Sequence, residues 1–180
     1  LDDKIELNNQ INSELEAMTK LIYDYWFMQF DFPDENGKPY KSSGGEMVYN
    51  EDLKQEIPKG WEFGTLDDLG TIGGGSTPSS EEPSNFCSNG VPWLTPADMS
   101  ENKGRKYITR GKRDVSAKGI KSASLQIYPK GTVLLTSRAP VGYLAIARNE
   151  VTTNQGFKSF TPNKGYPEHY IFYVLAGYMK

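Results

Sequence analysis

From the first residue, Asn8, Ile11, Leu15, Met18, Ile22 and Tyr25 recur at alternating spacings of three and four, while Glu6, Glu14, Glu16 and Lys20 fall between them. That period predicts a long helix with a narrow seam of the coiled-coil kind, and Asn8 is the sort of polar seam residue that fixes register. An ordinary amphipathic helix packed on its own domain fits the same spacing. Six aromatics then crowd residues 23–32: Tyr23, Tyr25, Trp26, Phe27, Phe30 and Phe32. They cannot share one helical stripe, so they either close a core at the base of the helix or present rings to a second protein. Pro33 ends the run, and Asp34-Glu35-Asn36-Gly37-Lys38-Pro39 carries turn chemistry. A short strand is expected at Met47-Val48-Tyr49.

At Ile57-Pro58-Lys59-Gly60-Trp61 the period passes from about 3.6 to 2. Strand-like runs follow at 61–66, 91–94, 106–109, 132–136, 143–147 and 157–161, bounded by Gly, Pro, Asn or Ser. Pro167 opens a last helix in which Ile171, Val174, Leu175 and Tyr178 follow helical spacing. The expected fold is α+β: a long N-terminal coiled-coil-type helix, then a curved, mostly antiparallel sheet domain with short helices. The expected domains are a helical arm with its connecting loop, 1–57, and a sheet domain, 58–180. The helix starts with no capping residue before it, and the last helix meets the end of the sequence uncapped, so both ends are expected to be cuts in a longer chain.

Charge divides at the same joint. Residues 1–57 hold 5 Lys/Arg against 13 Asp/Glu, and residues 58–180 hold 15 against 10. An acidic arm thus precedes a basic domain, which the overall net charge of −3 conceals. Within the domain, Lys103, Arg105, Lys106, Arg110, Lys112, Arg113, Lys118 and Lys121 stand against the single acid Asp114 and are interrupted by Gly104, Gly111 and Gly119. Cations on glycine-rich loops suit phosphates, although a solvated surface has the same composition. Arg138, Asn154 and Gln155 add groups of the kind that read base edges, Arg for guanine and Asn or Gln for adenine.

Catalytic constellations are harder to find. His169 is the only histidine and Cys87 the only cysteine, so a Ser-His or Cys-His nucleophile and a cysteine-rich zinc site have little support. Gly73-Gly74-Gly75-Ser76-Thr77 lacks the Gly-Lys-Ser/Thr of a phosphate loop and reads as a flexible turn. Asp34, Asp52 and Lys54 could be combined into a metal-dependent nuclease pattern, which is the enzyme alternative. A protein-interaction module without DNA is the other. With one cysteine, no bilayer-length apolar run and no signal-peptide pattern, a cytoplasmic setting away from membranes is expected.

Leu1-Asp2-Asp3-Lys4-Ile5-Glu6-Leu7-Asn8-Asn9, Tyr23-Asp24-Tyr25-Trp26-Phe27, Phe30-Asp31-Phe32-Pro33, residues 37–45 and Ile57-Pro58-Lys59-Gly60-Trp61 resemble, in order and spacing, the DNA-specificity subunit of type I restriction-modification systems. Val91-Pro92-Trp93-Leu94-Thr95, Ser137-Arg138-Ala139-Pro140-Val141-Gly142 and Thr153-Asn154-Gln155-Gly156-Phe157 are similar to landmarks of that family's target recognition domains. The resemblance implies a non-catalytic scaffold that reads one half of a bipartite site on double-stranded DNA. It also implies a spacer helix that docks methyltransferase subunits and a further restriction and translocation subunit, with self-association through that helix a further route. No cofactor would be bound by this chain; S-adenosylmethionine would sit in the methyltransferase, and ATP and magnesium in the restriction subunit. Complete members are roughly twice as long, so one spacer helix and one recognition domain, lacking its last strands, are expected here. The candidate partner-binding residues are Ile11, Leu15, Met18, Ile22, Tyr25, Trp26 and Phe27. The candidate DNA-binding residues are the eight cations of 103–121 with Arg138, Asn154 and Gln155.

Overall fold

The computed structural model describes residues 1–179, which divide into two compact units, Leu1–Gly64 and the residues from Thr65 onward. In the first, α1 (Asp2–Tyr23) is a helix of 22 residues with no buried side chain, about 33 Å long at the α-helical rise. Ile11, Leu15, Met18 and Ile22 are all exposed, so the apolar seam is not covered by the chain itself. The helix widens into a π-turn at Asp24–Met28, and Phe30 takes a left-handed backbone with φ 64°. The wider turn carries the ring-bearing residues through more than one face.

Those rings separate into two groups. Phe27, Phe30 and Phe32 gather about Trp61: Phe32 stacks on it at 5.3 Å between centroids, Phe30 meets it edge-on at 5.6 Å, and Tyr40 stacks on Phe32 at 4.7 Å. Tyr25 and Trp26 stay exposed. Asp31 is buried beneath this cluster of loops and accepts from the Ser42 amide at 2.7 Å and the Ser42 hydroxyl at 2.5 Å. An antiparallel hairpin, β1 (Met47–Asn50) with β2 (Gln55–Pro58), completes the unit. The stretch 61–66 is not the strand its alternation predicts. Trp61 is held by ring stacking, Phe63 is exposed, and Thr65 closes a capping box with Asp68 that starts a 3-10 turn at Leu66–Leu69.

The second unit has two sheets. The larger runs β3 (Thr71–Gly74), β11 (Phe157–Thr161), β8 (Val133–Thr136), β9 (Leu144–Ala147), β6 (Tyr107–Ile108). The smaller runs β10 (Thr152–Thr153), β5 (Val91–Leu94), β7 (Arg113–Val115), β4 (Phe86–Cys87). Pairing is antiparallel except for β6 with β9 and β5 with β10. Five of the six expected strands are present. β3, β4, β7 and β10 carried no usable period, being glycine-rich, charged or two to four residues long.

β8 is buried along its length and alternates between two cores, as the two-residue period of a strand requires. Val133 and Leu135 pack with Ile171 and Leu175 of α4 (Glu168–Tyr178), while Leu134 faces Leu94, Met99, Tyr128 and Phe157. Tyr178, expected on the buried stripe of α4, is 70% exposed. Two more short helices, α2 (Pro96–Glu101) and α3 (Ala117–Ser122), are capped by Thr95 and Ser116.

The glycine run expected to be a flexible turn is instead the end of β3 and its exit. A Cβ on Gly73 would lie 2.3 Å from the Tyr128 hydroxyl, which donates to the Gly74 carbonyl at 2.5 Å. A Cβ on Gly75 would lie 2.1 Å from the Asn154 carbonyl oxygen. These glycines are there because buried neighbours pass within van der Waals reach of their backbone.

Leu134→Ala should cost about 2–5 kcal/mol in urea denaturation, because the side chain is fully buried in the core with Leu94, Met99, Tyr128 and Phe157. Asp31 gives a pH signature. The Ser42 side-chain hydrogen bond, then the Ser42 amide, hold its carboxyl below the ordinary range. A lowered folded value contributes stability that is present above the unfolded value and lost as pH falls through the folded one. The near-UV signal of the aromatic cluster should therefore hold at neutral pH and weaken below about pH 4. Asp31→Asn should be less stable at pH 7 and should lose that dependence; an unchanged acid profile would dissociate the carboxylate from the cluster.

Candidate nucleic-acid interface

The basic stretch is built around one buried acid. Asp98 Oδ2 accepts from the Thr95 amide at 2.8 Å and its hydroxyl at 2.6 Å, closing the N-terminus of α2, and Oδ1 accepts from the Lys112 amide at 2.9 Å. One carboxylate thereby fastens the loop 110–113 to α2. Gly111 is required there, since a Cβ would lie 2.5 Å from the Asp98 carboxyl carbon.

The eight cations then have different fates. Lys106 donates to the Tyr173 hydroxyl at 2.8 Å and lies 4.9 Å above that ring, so it packs on α4. Arg110 neutralises the buried Asp114 at 2.5 Å. Lys112 pairs with Glu101, whose hydrogen bond and charge hold the Lys112 ammonium above its usual range. Arg113 lies flat on Phe86 at 3.5 Å. Lys118 is bonded to the Ser84 hydroxyl at 2.7 Å and lies 3.3 Å from Glu82; the Ser84 hydrogen bond, then Lys118, hold the Glu82 carboxyl low. Lys103, Arg105 and Lys121 are exposed and have no side-chain partner among the described residues. Phe86, Cys87, Arg110, Lys112 and Arg113 line a shallow hollow of about 410 Å³.

Arg138, Asn154 and Gln155 come together in a single cleft of about 600 Å³, with Pro96, Ser100 and Glu101 of α2 on its wall. Its floor is two loops tied to each other. The Gly156 carbonyl accepts from the amides of Ser137 at 2.8 Å and Arg138 at 3.3 Å. Asn154 Oδ1 accepts from the Gly156 amide at 2.8 Å, and the Asn154 amide donates to the Leu94 carbonyl at 3.0 Å. The Thr77 hydroxyl donates to Gln155 Oε1. The loop between β8 and β9 is pinned by buried Thr136, whose hydroxyl donates to the Pro140 carbonyl at 2.6 Å and accepts from the Tyr143 amide at 3.0 Å. Arg138 itself is exposed and has no acidic partner among the described residues. Glu101 and Thr77 were not anticipated. Glu101 could have been suspected only from its nearness to the basic stretch, and Thr77 lies 78 residues from Gln155.

Other chemistry is accounted for by structure. His169 Nε2 is 2.7 Å from the Tyr107 hydroxyl, joining α4 to β6. Asp34 Oδ1 accepts from the amides of Asn36 and Lys38, both at 2.8 Å, as a turn former. Asp52 and Lys54 lie in the turn between β1 and β2. Among the described residues no three His, Cys, Asp or Glu side chains converge as a metal site, and no helix is long and apolar enough to cross a membrane. Of the candidate partner-binding residues, Ile11, Leu15, Met18, Ile22, Tyr25 and Trp26 are exposed, whereas Phe27 is half-buried against Trp61.

The family model of the type I restriction modification DNA specificity domain matches residues 58–180. The chain is 46% identical over 130 residues to the type I restriction enzyme MjaIX specificity subunit of Methanocaldococcus jannaschii, covering 72% of this chain and 30% of that protein. It is 27% identical over 209 residues to the HindI specificity subunit of Haemophilus influenzae, covering 91% of this chain and 45% of that one. The chain thus spans less than half the length of these relatives. Among solved structures, the HsdS subunit from Thermoanaerobacter tengcongensis shares the fold at a TM-score of 0.57 and 20% identity, over 98% of this chain and 38% of that one. A chain from a structure of a type I R-M system does so at 0.55 and 21%, over 96% and 37%. With more than half its length matched by the family model, and with a long helix leading into a mostly antiparallel two-sheet unit, the chain belongs to the type I restriction modification DNA specificity family.

Proposed function

We infer that this chain is a DNA-recognition piece of a type I restriction-modification complex, its second unit reading one half of a bipartite site on double-stranded DNA and α1 serving as a spacer that docks methyltransferase subunits. The family match over 58–180 carries this reading. The exposed cations Lys103, Arg105, Lys121 and Arg138 supply the electrostatics, because a cation without an acid of its own can take up a phosphate without first breaking an ion pair. The chain itself performs no chemistry. Methylation uses S-adenosylmethionine held by the methyltransferase, and translocation and cleavage use ATP and magnesium in the restriction subunit, in a cytoplasmic complex.

The arm supports the protein-docking half of the reading. Ile11, Leu15, Met18 and Ile22 form one stripe on a helix that buries nothing within this chain, and a seam of that spacing suits a partner helix. Replacing Leu15 and Ile22 together with Asp should abolish co-purification with the methyltransferase subunits while far-UV circular dichroism keeps its helical content. Retained association would sink the docking role.

The salt dependence of duplex binding tests the DNA half. Each phosphate neutralised contributes about −0.9 to the slope of log affinity against log salt. Lys103→Ala with Lys121→Ala should flatten that slope by about 1.8 if both meet phosphates, and should weaken all sequences alike. Lys118→Ala, which removes a cation already bonded to Ser84 and Glu82, should change it less. Equal slopes for all three proteins would return the exposed cations to the role of a solvated surface.

A further inference from the structure

We propose that Arg113, held flat on Phe86 at the rim of the smaller sheet, reads a guanine through its O6 and N7 in the major groove. This rests on the DNA-recognition reading and adds a specificity-determining residue to it.

Strand register builds the platform. β7 pairs with β5 so that Arg113 lies opposite Trp93, and with β4 so that Val115 lies opposite Phe86. Residues opposite one another share a face of the sheet, as do residues two apart on one strand, so Phe86, Trp93, Arg113 and Val115 are on one side. Trp93 and Val115 are buried there, whereas Arg113 is exposed at the edge of the same face. Its guanidinium carbon is 3.5 Å from the centre of the Phe86 ring and 6.0 Å from that of Trp93. Phe86 meets Trp93 edge-on at 5.8 Å, and the Trp93 indole donates to the Ser76 carbonyl at 3.0 Å. The ring under Arg113 is thus itself held in place. The Arg113 backbone is held too, by its pairing with Trp93 and by the Asp98 carboxylate on the neighbouring Lys112 amide.

What the stack leaves free decides the chemistry. A guanidinium on a ring spends its face, so the N–H donors in its plane stay available, and for Arg113 they have no hydrogen-bond or acidic partner among the described residues. The other cations of the hollow are already engaged, Arg110 by Asp114 and Lys112 by Glu101. A phosphate is served by mobile point charges, but a base edge needs a plane of donors in fixed orientation. One rigid fork among neutralised neighbours is of the second kind. Its two parallel donors match guanine, the base that presents two acceptors side by side in the major groove. Arg113 and Phe86 also lie outside the stretches 91–95, 137–142 and 153–157 that resemble family landmarks, as a contact that sets one member's base choice must.

The test selects from a pool of duplexes with randomised positions, using the whole chain unchanged or carrying Arg113→Lys, Phe86→Leu, Phe86→Tyr or Lys103→Ala. The unchanged chain should enrich a short motif containing a G·C pair. Arg113→Lys keeps the charge but loses the fork, so discrimination at that pair should fall by about 5-fold to 160-fold with the salt slope preserved. Phe86→Leu removes the ring beneath Arg113 and should relax the same pair, whereas Phe86→Tyr keeps a ring and should retain it. Lys103→Ala should weaken every sequence alike. Replacing the guanine by 7-deazaguanine, which lacks the N7 acceptor, should weaken the unchanged chain and leave Arg113→Lys little affected. Arg113→Lys decides the matter even if Phe86→Leu fails to fold, because residue 113 is exposed. If Arg113→Lys leaves the motif undiminished, relaxes a position other than a G·C pair, or weakens all sequences equally, Arg113 does not read guanine, and DNA recognition by the unit stands without it. If the unchanged chain enriches no sequence, the recognition reading falls and this assignment with it.

Discussion

Gly156 offers one carbonyl oxygen to two amides, those of Ser137 and Arg138, and the site depends on that shared acceptor. Buried backbone groups must be paired, and here the pairing joins the loop after β8 to the loop after β10. The second loop is held in turn by the Asn154 side chain on Gly156, by the Asn154 amide on Leu94, and by the backbone of Gly75 pressed against the Asn154 carbonyl. Without Cβ atoms at residues 73 and 75, Tyr128 and the 153–154 backbone can approach closely. Loops are normally the mobile part of a small sheet domain; these are fixed because strand ends from both sheets terminate on them.

The charge distribution obeys a second constraint, that buried carboxylates must be compensated. Asp98 and Asp114 are 6% and 5% exposed. Asp98 is compensated by amides and a hydroxyl, and Asp114 by Arg110. A run of cations that reads as one patch is therefore partly internal bookkeeping of the fold: Arg110 belongs to Asp114, Lys106 to Tyr173, and Lys118 to Ser84 and Glu82. Lys103, Arg105 and Lys121 are left exposed without a side-chain partner among the described residues, and the Arg113 guanidinium lies over the face of Phe86.

Much of the fold was legible from local pattern. The seam predicted α1, residues 132–136, 143–147 and 157–161 predicted the central strands, and Pro167 marked the start of α4, because in each case burial imposes a period on the sequence. Patterns failed where burial was not periodic. Trp61 and Phe63 alternate as a strand would, yet Trp61 is satisfied by stacked rings. Gly73-Gly74-Gly75 has the composition of a turn, yet its glycines answer to Tyr128 and Asn154, far away in sequence. Residue type singled out Arg138, Asn154 and Gln155 as candidates, and the fold brings all three to the lining of one cleft. Pairing is what residue type cannot carry: neither the Lys112 to Glu101 bond nor the Thr77 to Gln155 bond leaves a mark on spacing.

The arm poses the opposite problem, a pattern stronger than the chain can use. A stripe of Ile11, Leu15, Met18 and Ile22 stays in water, although burying side chains of this kind is worth about 1.5–3 kcal/mol each. At 22 residues α1 exceeds the roughly 12–15 below which isolated helices are marginal in water, yet it buries none of its side chains within this chain. Covering the stripe would therefore add packing stabilisation that the helix does not obtain from this chain. Phe27, Phe30 and Phe32 are taken up by Trp61 and Tyr40 at the base, which anchors one end of α1 and leaves the stripe, with Tyr25 and Trp26, as the face that a partner would cover.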